Sequence, residues 1–186
     1  MTTTCIVYHS VTSTTARLAE AIYAGAAEIG TAALLRITGD QIVAGRFRDN
    51  TIWAQLEHAD AIIFGSPTFM GGPAAQFKAF ADASSDLWSD KKWSDKVASG
   101  FTVGSNLNGD QFCTLSSFSV LAAQHGMLWC GLDIPGGHDS LGRNTLGTQL
   151  GLAIRGEDGV VAEIDLLTAR YLGARVARIA KRLKLA

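Results

Sequence analysis

The chain has 186 residues, 47% of them hydrophobic, and a formal net charge of −1, which suits one domain with a full core. The charge balance excludes the basic surface that a nucleic-acid partner needs and the polybasic stretch that would hold an anionic membrane, and no apolar run approaches the roughly 20 residues of a membrane span. The chain starts directly in a strand pattern without a signal-peptide h-region, and Cys5, Cys113 and Cys130 are an odd set without metal spacing, so reduced thiols, no metal site and a cytoplasmic location are expected.

Thr4-Cys5-Ile6-Val7-Tyr8 reads as a buried first strand, and Leu18, Ile22, Ala26 and Ile29 give residues 14–30 a helical period. A second strand is predicted at 33–37 and a short helix at 52–58. The third strand, 61–65, is apolar throughout, as a central parallel strand should be. A helix at 73–87 puts Phe77, Phe80 and Leu87 on one side. A fourth strand at 97–103, a helix at 111–124 and a fifth strand at 127–132 follow. The closing helix, 162–183, carries Leu172, Val176, Ile179 and Leu183 as its stripe, with acids near its start and bases near its end to suit the helix dipole. Strand and helix alternate, which predicts helices on both faces of a parallel sheet. Two stretches exceed ordinary connections: a polar loop at 104–110, and a Gly-rich segment at 133–159 that reads as a long loop or a subunit-contact segment. Trp88, Lys91, Lys92 and Trp93 lie in a smaller excursion.

In an open parallel sheet, ligands bind beyond the carboxyl ends of the strands. The first candidate loop there is Ser10-Val11-Thr12-Ser13-Thr14-Thr15, between strand one and helix one. A strand-to-helix turn aims backbone N–H groups at whatever sits above it, and five hydroxyls with no carboxylate can hold a phosphate dianion without a lysine. The second loop, 66–72, offers Pro67, Thr68, Phe69, Met70 and Gly71, a proline-fixed turn whose glycines let backbone approach a planar ring. The third, Thr102 to Asp110, passes through Val103 and offers Ser105, Asn106 and Asn108, with backbone amides freed by Gly104 and Gly109. A phosphate cup beside two loops able to sandwich a polar ring is what flavin mononucleotide (FMN) requires.

The chain resembles the flavodoxin-fold NAD(P)H:quinone oxidoreductases, the WrbA-like group, over nearly its whole length. The resemblance rests on the phosphate loop 10–15, on Pro67 to Lys78 (the family's Pro-Thr-x-Phe-Gly loop and the helix after it), on Leu87-Trp88, on the Thr-rich helix leading to His125-Gly126-Met127, and on the C-terminal Ala169-Arg170-Tyr171-Leu172-Gly173. It implies a flavodoxin-like three-layer sandwich with a five-stranded parallel sheet of order 2-1-3-4-5. It further implies FMN as cofactor, NADH or NADPH as donor, a quinone-like acceptor, and a homo-oligomer, dimer or tetramer, with flavin sites near subunit contacts. By the same resemblance Gln124 stands where the family's first histidine lines the flavin site, and Trp88 and His125 become candidate substrate contacts. The chain departs from the family where Pro-Thr-Arg-Phe-Gly-Asn becomes Pro67-Thr68-Phe69-Met70-Gly71-Gly72, and where His-His becomes Gln124-His125.

On the residues alone, His125 before Gly126 is as well suited to capping a helix as to chemistry, and Trp88 to packing as to stacking a substrate. His9, His58 and His138, and Asp82 and Asp110, carry no diagnostic spacing. No acid–base residue is required, since hydride and electron transfer proceed without one. Two alternatives to the oxidoreductase stay open at this point: a one-electron carrier of the flavodoxin type, and a flavin-fold protein with reduced FMN binding and a regulatory role.

Overall fold

The computed structural model describes residues 1–185. In chain order the elements are β1 (Thr3–His9), α1 (Thr14–Ala27), β2 (Thr31–Ile37), a 3-10 turn (Gly39–Gln41), β3 (Ile42–Val43), β4 (Arg46–Phe47), α2 (Asn50–His58), β5 (Ala61–Phe69), β6 (Gly72–Pro73), α3 (Ala75–Ala83), α4 (Ser85–Trp88), β7 (Val97–Gly104), α5 (Gln111–Gln124), β8 (Leu128–Trp129), β9 (Leu152–Arg155) and α6 (Glu163–Lys184). The main sheet runs β2-β1-β5-β7-β8, with β9 also pairing β7 and β6 pairing β5. This is the flavodoxin-like order 2-1-3-4-5.

The sheet nonetheless holds seven strands, and two expectations change with it. The predicted fifth strand at 127–132 enters the ladder only at Leu128 and Trp129, opposite Val97 and Ala98. The upper half of that edge is built by β9, opposite Phe101 to Gly104, from inside the stretch read as a long loop. A four-residue run among glycines carries too little period to announce a strand. Two glycines make the split edge possible: a Cβ on Gly151 would press on the Gly100 carbonyl, and one on Gly131 on that of Gln149. The other change is β6, which folds antiparallel onto β5, so the sheet is not purely parallel.

The remaining connection folds back on its own chain. The Tyr171 hydroxyl donates to Asp133 at 2.7 Å, and the Thr145 hydroxyl donates to Asp165 at 2.9 Å. Arg143 lies 4.4 Å over the Tyr171 ring and pairs with Asp139 at 2.9 Å. These polar anchors, together with Ile134 buried in the core that α6 shares, hold residues 133–151 to α6. The predicted helix at 73–87 is two helices. They break at Ser84, whose hydroxyl donates back to the Ala81 carbonyl at 2.7 Å.

Alternation along the strands sends successive residues to opposite faces. Cys5, Val7, Ile62 and Phe64 face one core with Phe77, Phe80, Trp93 and Phe118. Ile6, Tyr8, Ile63 and Phe101 face the other with Leu18, Ile22, Leu172 and Val176. In the second core α1 and α6 pack so closely that side chains are excluded where they cross. A Cβ on Gly25 would overlap the Arg170 carbonyl, and one on Gly173 the Ile22 carbonyl.

Gly173→Ala is expected to lower stability by about 1–3 kcal/mol, the usual cost of forcing extra atoms into a packed interior. Gly39→Ala, which meets nothing within 4 Å, is the control and should change stability by under about 0.5 kcal/mol in urea unfolding.

Candidate functional site

Three loops leave the carboxyl ends of β1, β5 and β7 side by side, because those strands are neighbours in register. In the first, Ser10, Thr14 and Thr15 are buried, and Val11, Thr12 and Ser13 face out. The hydroxyls are not all free. Ser10 Oγ accepts the Ala16 N–H at 3.2 Å, Thr14 Oγ1 accepts the Gly159 N–H at 2.9 Å, and the Thr12 and Thr14 hydroxyls lie 3.3 Å apart. What remains open is the backbone. Among the described residues, the N–H groups from Val11 to Thr15 have no protein acceptor. Helix starts leave such donors by geometry, and here the turn before the helix extends the run to five. Ser13, just before α1, sits at φ 69° and makes no side-chain cap, so its hydroxyl does not close the cup.

The second loop is a hairpin. β5 continues past the predicted end at Gly65 to Phe69, and Met70 and Gly71, at φ 49° and 76°, turn the chain into β6. Two left-handed residues in a two-residue loop match the twist of the strands they join. Pro67 is buried, whereas Phe69 is 51% exposed and Met70 fully so. The Thr68 hydroxyl turns inward, away from any ligand. It lies 2.8 Å from the hydroxyls of both Thr102 and Thr114. Since Thr102 donates to the Ser66 carbonyl at 2.7 Å, the protons run from Thr114 to Thr68 to Thr102 to that carbonyl. This chain ties the second loop to the start of the third.

In the third loop Val103 is buried and Gly104 half-buried, and Ser105 and Asn106 are exposed. Gln111, buried at the head of α5, donates to the Ile154 carbonyl at 2.9 Å and the Asn106 carbonyl at 3.2 Å. Arg155 donates to the Ser105 carbonyl at 3.1 Å. The late strand β9 therefore holds the third loop, through Gln111 and Arg155. Each of the three loops carries one non-glycine residue in the left-handed region: Ser13, Met70 and Asp110.

Trp88, Gln124 and His125 do not join these loops. They lie at the amino ends of the strands, next to the start of β7, and β7 is eight residues long. At about 3.3 Å per residue the two edges are about 25 Å apart. Trp88 Nε1–H donates to the Gln124 carbonyl at 2.7 Å. His125 is buried, 4.3 Å from the Trp93 ring, with Nε2 2.8 Å from the Ser84 hydroxyl. That hydroxyl gives its proton to Ala81, so His125 carries its proton on Nε2 and donates it to Ser84. Nδ1 is left bare and unpartnered. Its backbone N–H reaches the Leu121 carbonyl, which closes α5. As a contact to a substrate in the same subunit, His125 is excluded by this burial. His9 is also structural: Nδ1 donates to the Ile37 carbonyl at 3.0 Å.

Sequence reading passed over Arg36, whose guanidinium donates to the Ser10 carbonyl at 3.0 Å, and Arg17, which donates to Gly159 at 2.8 Å. A cation near the end of the otherwise uncharged strand β2 was the available signal. Thr102, Thr114, Gln111 and Gly159 gave none, because their partners lie 36 to 145 residues away.

The family described as NADPH-dependent FMN reductase matches residues 9–132. The chain belongs to that family, in its WrbA-like group. A crystal structure titled as a flavodoxin, WrbA-like protein from Agrobacterium tumefaciens is 42% identical with a TM-score of 0.78, covering 98% of this chain and 99% of its own. Flavodoxin FldP of Pseudomonas aeruginosa is 36% identical over 98% of this chain and 99% of its own. An NAD(P)H dehydrogenase (quinone) of Archaeoglobus fulgidus is 32% identical over 96% and 97%. Against the WrbA-like resemblance, the open run of N–H groups matters more than the changed ring loop. Five unmatched donors at one strand end fit a phosphate dianion, and the backbone supplies them whatever the side chains of the second loop are.

Burial holds the His125 imidazole down to about 4, against an ordinary value near 6.5. The unfolded chain therefore binds a proton that the folded chain refuses. Stability is full above about pH 6.5 and is lost as pH falls from 6.5 towards 4, by on the order of 1–3 kcal/mol. His125→Gln should flatten that part of a stability–pH curve measured by urea unfolding.

Proposed function

We propose that this chain is an FMN-dependent oxidoreductase that takes electrons from NADH or NADPH and passes them to a quinone-like acceptor. The observation that carries the reading is the run of five unmatched N–H groups at the end of β1, in a chain of this family. Those of Val11, Thr12, Ser13, Thr14 and Thr15 would hold the phosphate, with the Thr12, Ser13 and Thr15 hydroxyls beside them. The second loop, Pro67 to Gly71, would flank the ring with backbone and with the exposed Phe69. The Thr68 hydroxyl would act from behind, by fixing that loop. The N–H groups around Gly104, Ser105 and Asn106 would face the ring's polar edge, where donors stabilise negative charge that develops on reduction. FMN, when bound, supplies the hydride and electron chemistry; the chain supplies position and electrostatics. No side chain is needed as an acid or base.

The carrier reading is weaker. Carriers dock partners through charge, yet the loop tips here present Val11, Phe69, Met70, Leu107 and Phe112, all more than half exposed and all apolar. Such a rim suits a planar apolar acceptor.

The reading extends to the assembly and the compartment. Trp88 and Gln124 lie too far from the loops to serve a flavin in their own subunit, so the resemblance that assigns them to the site requires a second copy. A groove of about 590 Å³ between α3 and α5, lined by Phe77, Val120 and Leu121, leads to Gln124 and supports a homo-oligomer, dimer or tetramer. The three free cysteines support a reducing, cytoplasmic compartment. Among the described residues, no helix is long and apolar enough to cross a membrane.

Purified protein loaded with FMN should lose its flavin absorbance on adding NADH or NADPH and regain it on adding a simple benzoquinone. Bound FMN that neither nucleotide bleaches would overturn the enzyme and favour the carrier, which takes electrons from a protein. Light scattering is expected to give a mass two or four times that of one chain. Val120→Glu should shift it towards the monomer; a wild-type monomer at tens of micromolar would end the oligomer proposal.

A further inference from the structure

We propose that Arg36 is a positioning residue that makes the first loop select a phosphorylated flavin over its phosphate-free form. The inference rests on the FMN reading of that loop. Arg36 stands on β2 directly opposite Tyr8 of β1, so both side chains lie on the α1 face of the sheet. From there the guanidinium reaches past the end of β1 and donates to the Ser10 carbonyl at 3.0 Å. In a planar trans peptide the carbonyl and the next N–H point in opposite directions. Holding Ser10 O from the β2 side therefore turns the Val11 N–H the other way, and Val11 is the first of the five open donors. A cation on the carbonyl also polarises the peptide and makes that N–H a better donor to an anion.

The charge is not spent elsewhere. Arg46, Arg143, Arg170 and Arg175 each pair with a carboxylate, whereas among the described residues Arg36 pairs with none within 4.0 Å. The nearby acid is Glu20 on α1. Burial pushes the Tyr8 phenol up, Arg36 opposes that shift and Glu20 assists it, which places both charges around Tyr8 without joining them. Arg17 and Arg155 also bond backbone carbonyls, of Gly159 and Ser105, so it is the place of the carbonyl that distinguishes Arg36. Arg36 is tied to a backbone carbonyl at the mouth of an anion cup.

The test compares two ligands that share a ring and differ in the phosphate. Dissociation constants of FMN and riboflavin are measured by flavin fluorescence for wild type, Arg36→Gln and Arg36→Lys. Arg36→Gln is expected to weaken FMN about 10-fold and riboflavin less than 2-fold, and Arg36→Lys, which keeps the charge, should recover most of the FMN affinity. Equal weakening of both ligands would assign Arg36 a merely structural role, and no weakening of FMN would remove it from the site; either result overturns the proposal. Wild type that binds FMN no better than riboflavin, or neither, would instead overturn the phosphate-cup reading itself. If Arg36→Gln is too unstable to purify, Arg36→Met keeps the apolar stem on the sheet, and the same two constants decide.

Discussion

The constraint on which the site depends is that a parallel strand running into a helix leaves backbone N–H groups without partners. In most helices water or a side-chain cap takes them. Here Ser13 stands at the cap position in a left-handed conformation and takes none, and the Ser10 and Thr14 hydroxyls serve Ala16 and Gly159. The hydroxyl-rich composition therefore works indirectly. Its buried members brace the loop, and the braced backbone presents the donors. Such donors would need no reorganisation to meet an anion, because the fold has already oriented them.

The rest of the fold reads as support for that arrangement. The Thr114–Thr68–Thr102 hydroxyl chain joins the second loop to β7 and α5. Gln111 and Arg155 join the third loop to β9. The turn at Gly159 closes on Thr14. Two of the three loops are thus fixed by residues 154–159, which arrive late along the chain and depend on the split edge strand. Residues 133–151 must in turn be held by α6 for that edge to form. The close crossing of α1 and α6, at Gly25 and Gly173, links the loop's own helix to the helix that carries those anchors.

Much of this was legible in sequence. Long apolar strands such as 61–65 and amphipathic helices such as 162–183 announce themselves, because burial imposes a pattern on their residues. The hydroxyl-rich loop 10–15 stood out as a candidate too, since its residue types sit at one β–α junction. The split strand was not. Leu152 to Arg155 is too short to carry a period, and its pairing with Phe101 to Gly104 is set by glycines that allow close backbone approach. Arg36 was missed because its partner is a carbonyl 26 residues away, and carbonyls have no residue type. The inward turn of Thr68 was hidden for a related reason: a hydroxyl beside a ligand loop looks free until its neighbours in space are known.

The sequence by itself determined the α/β class, the strand that feeds the hydroxyl-rich first loop, and the family, because each rests on patterns of residue type within a few turns of chain. Only the tertiary structure decided that Trp88, Gln124 and His125 stand at the opposite edge from that loop, since the 14-residue helix returning beside β7 reverses direction and carries its end about 20 Å from its start. It alone decided which hydroxyls are spent and which donors stay open, because a hydrogen bond is settled by what folding brings within about 3 Å.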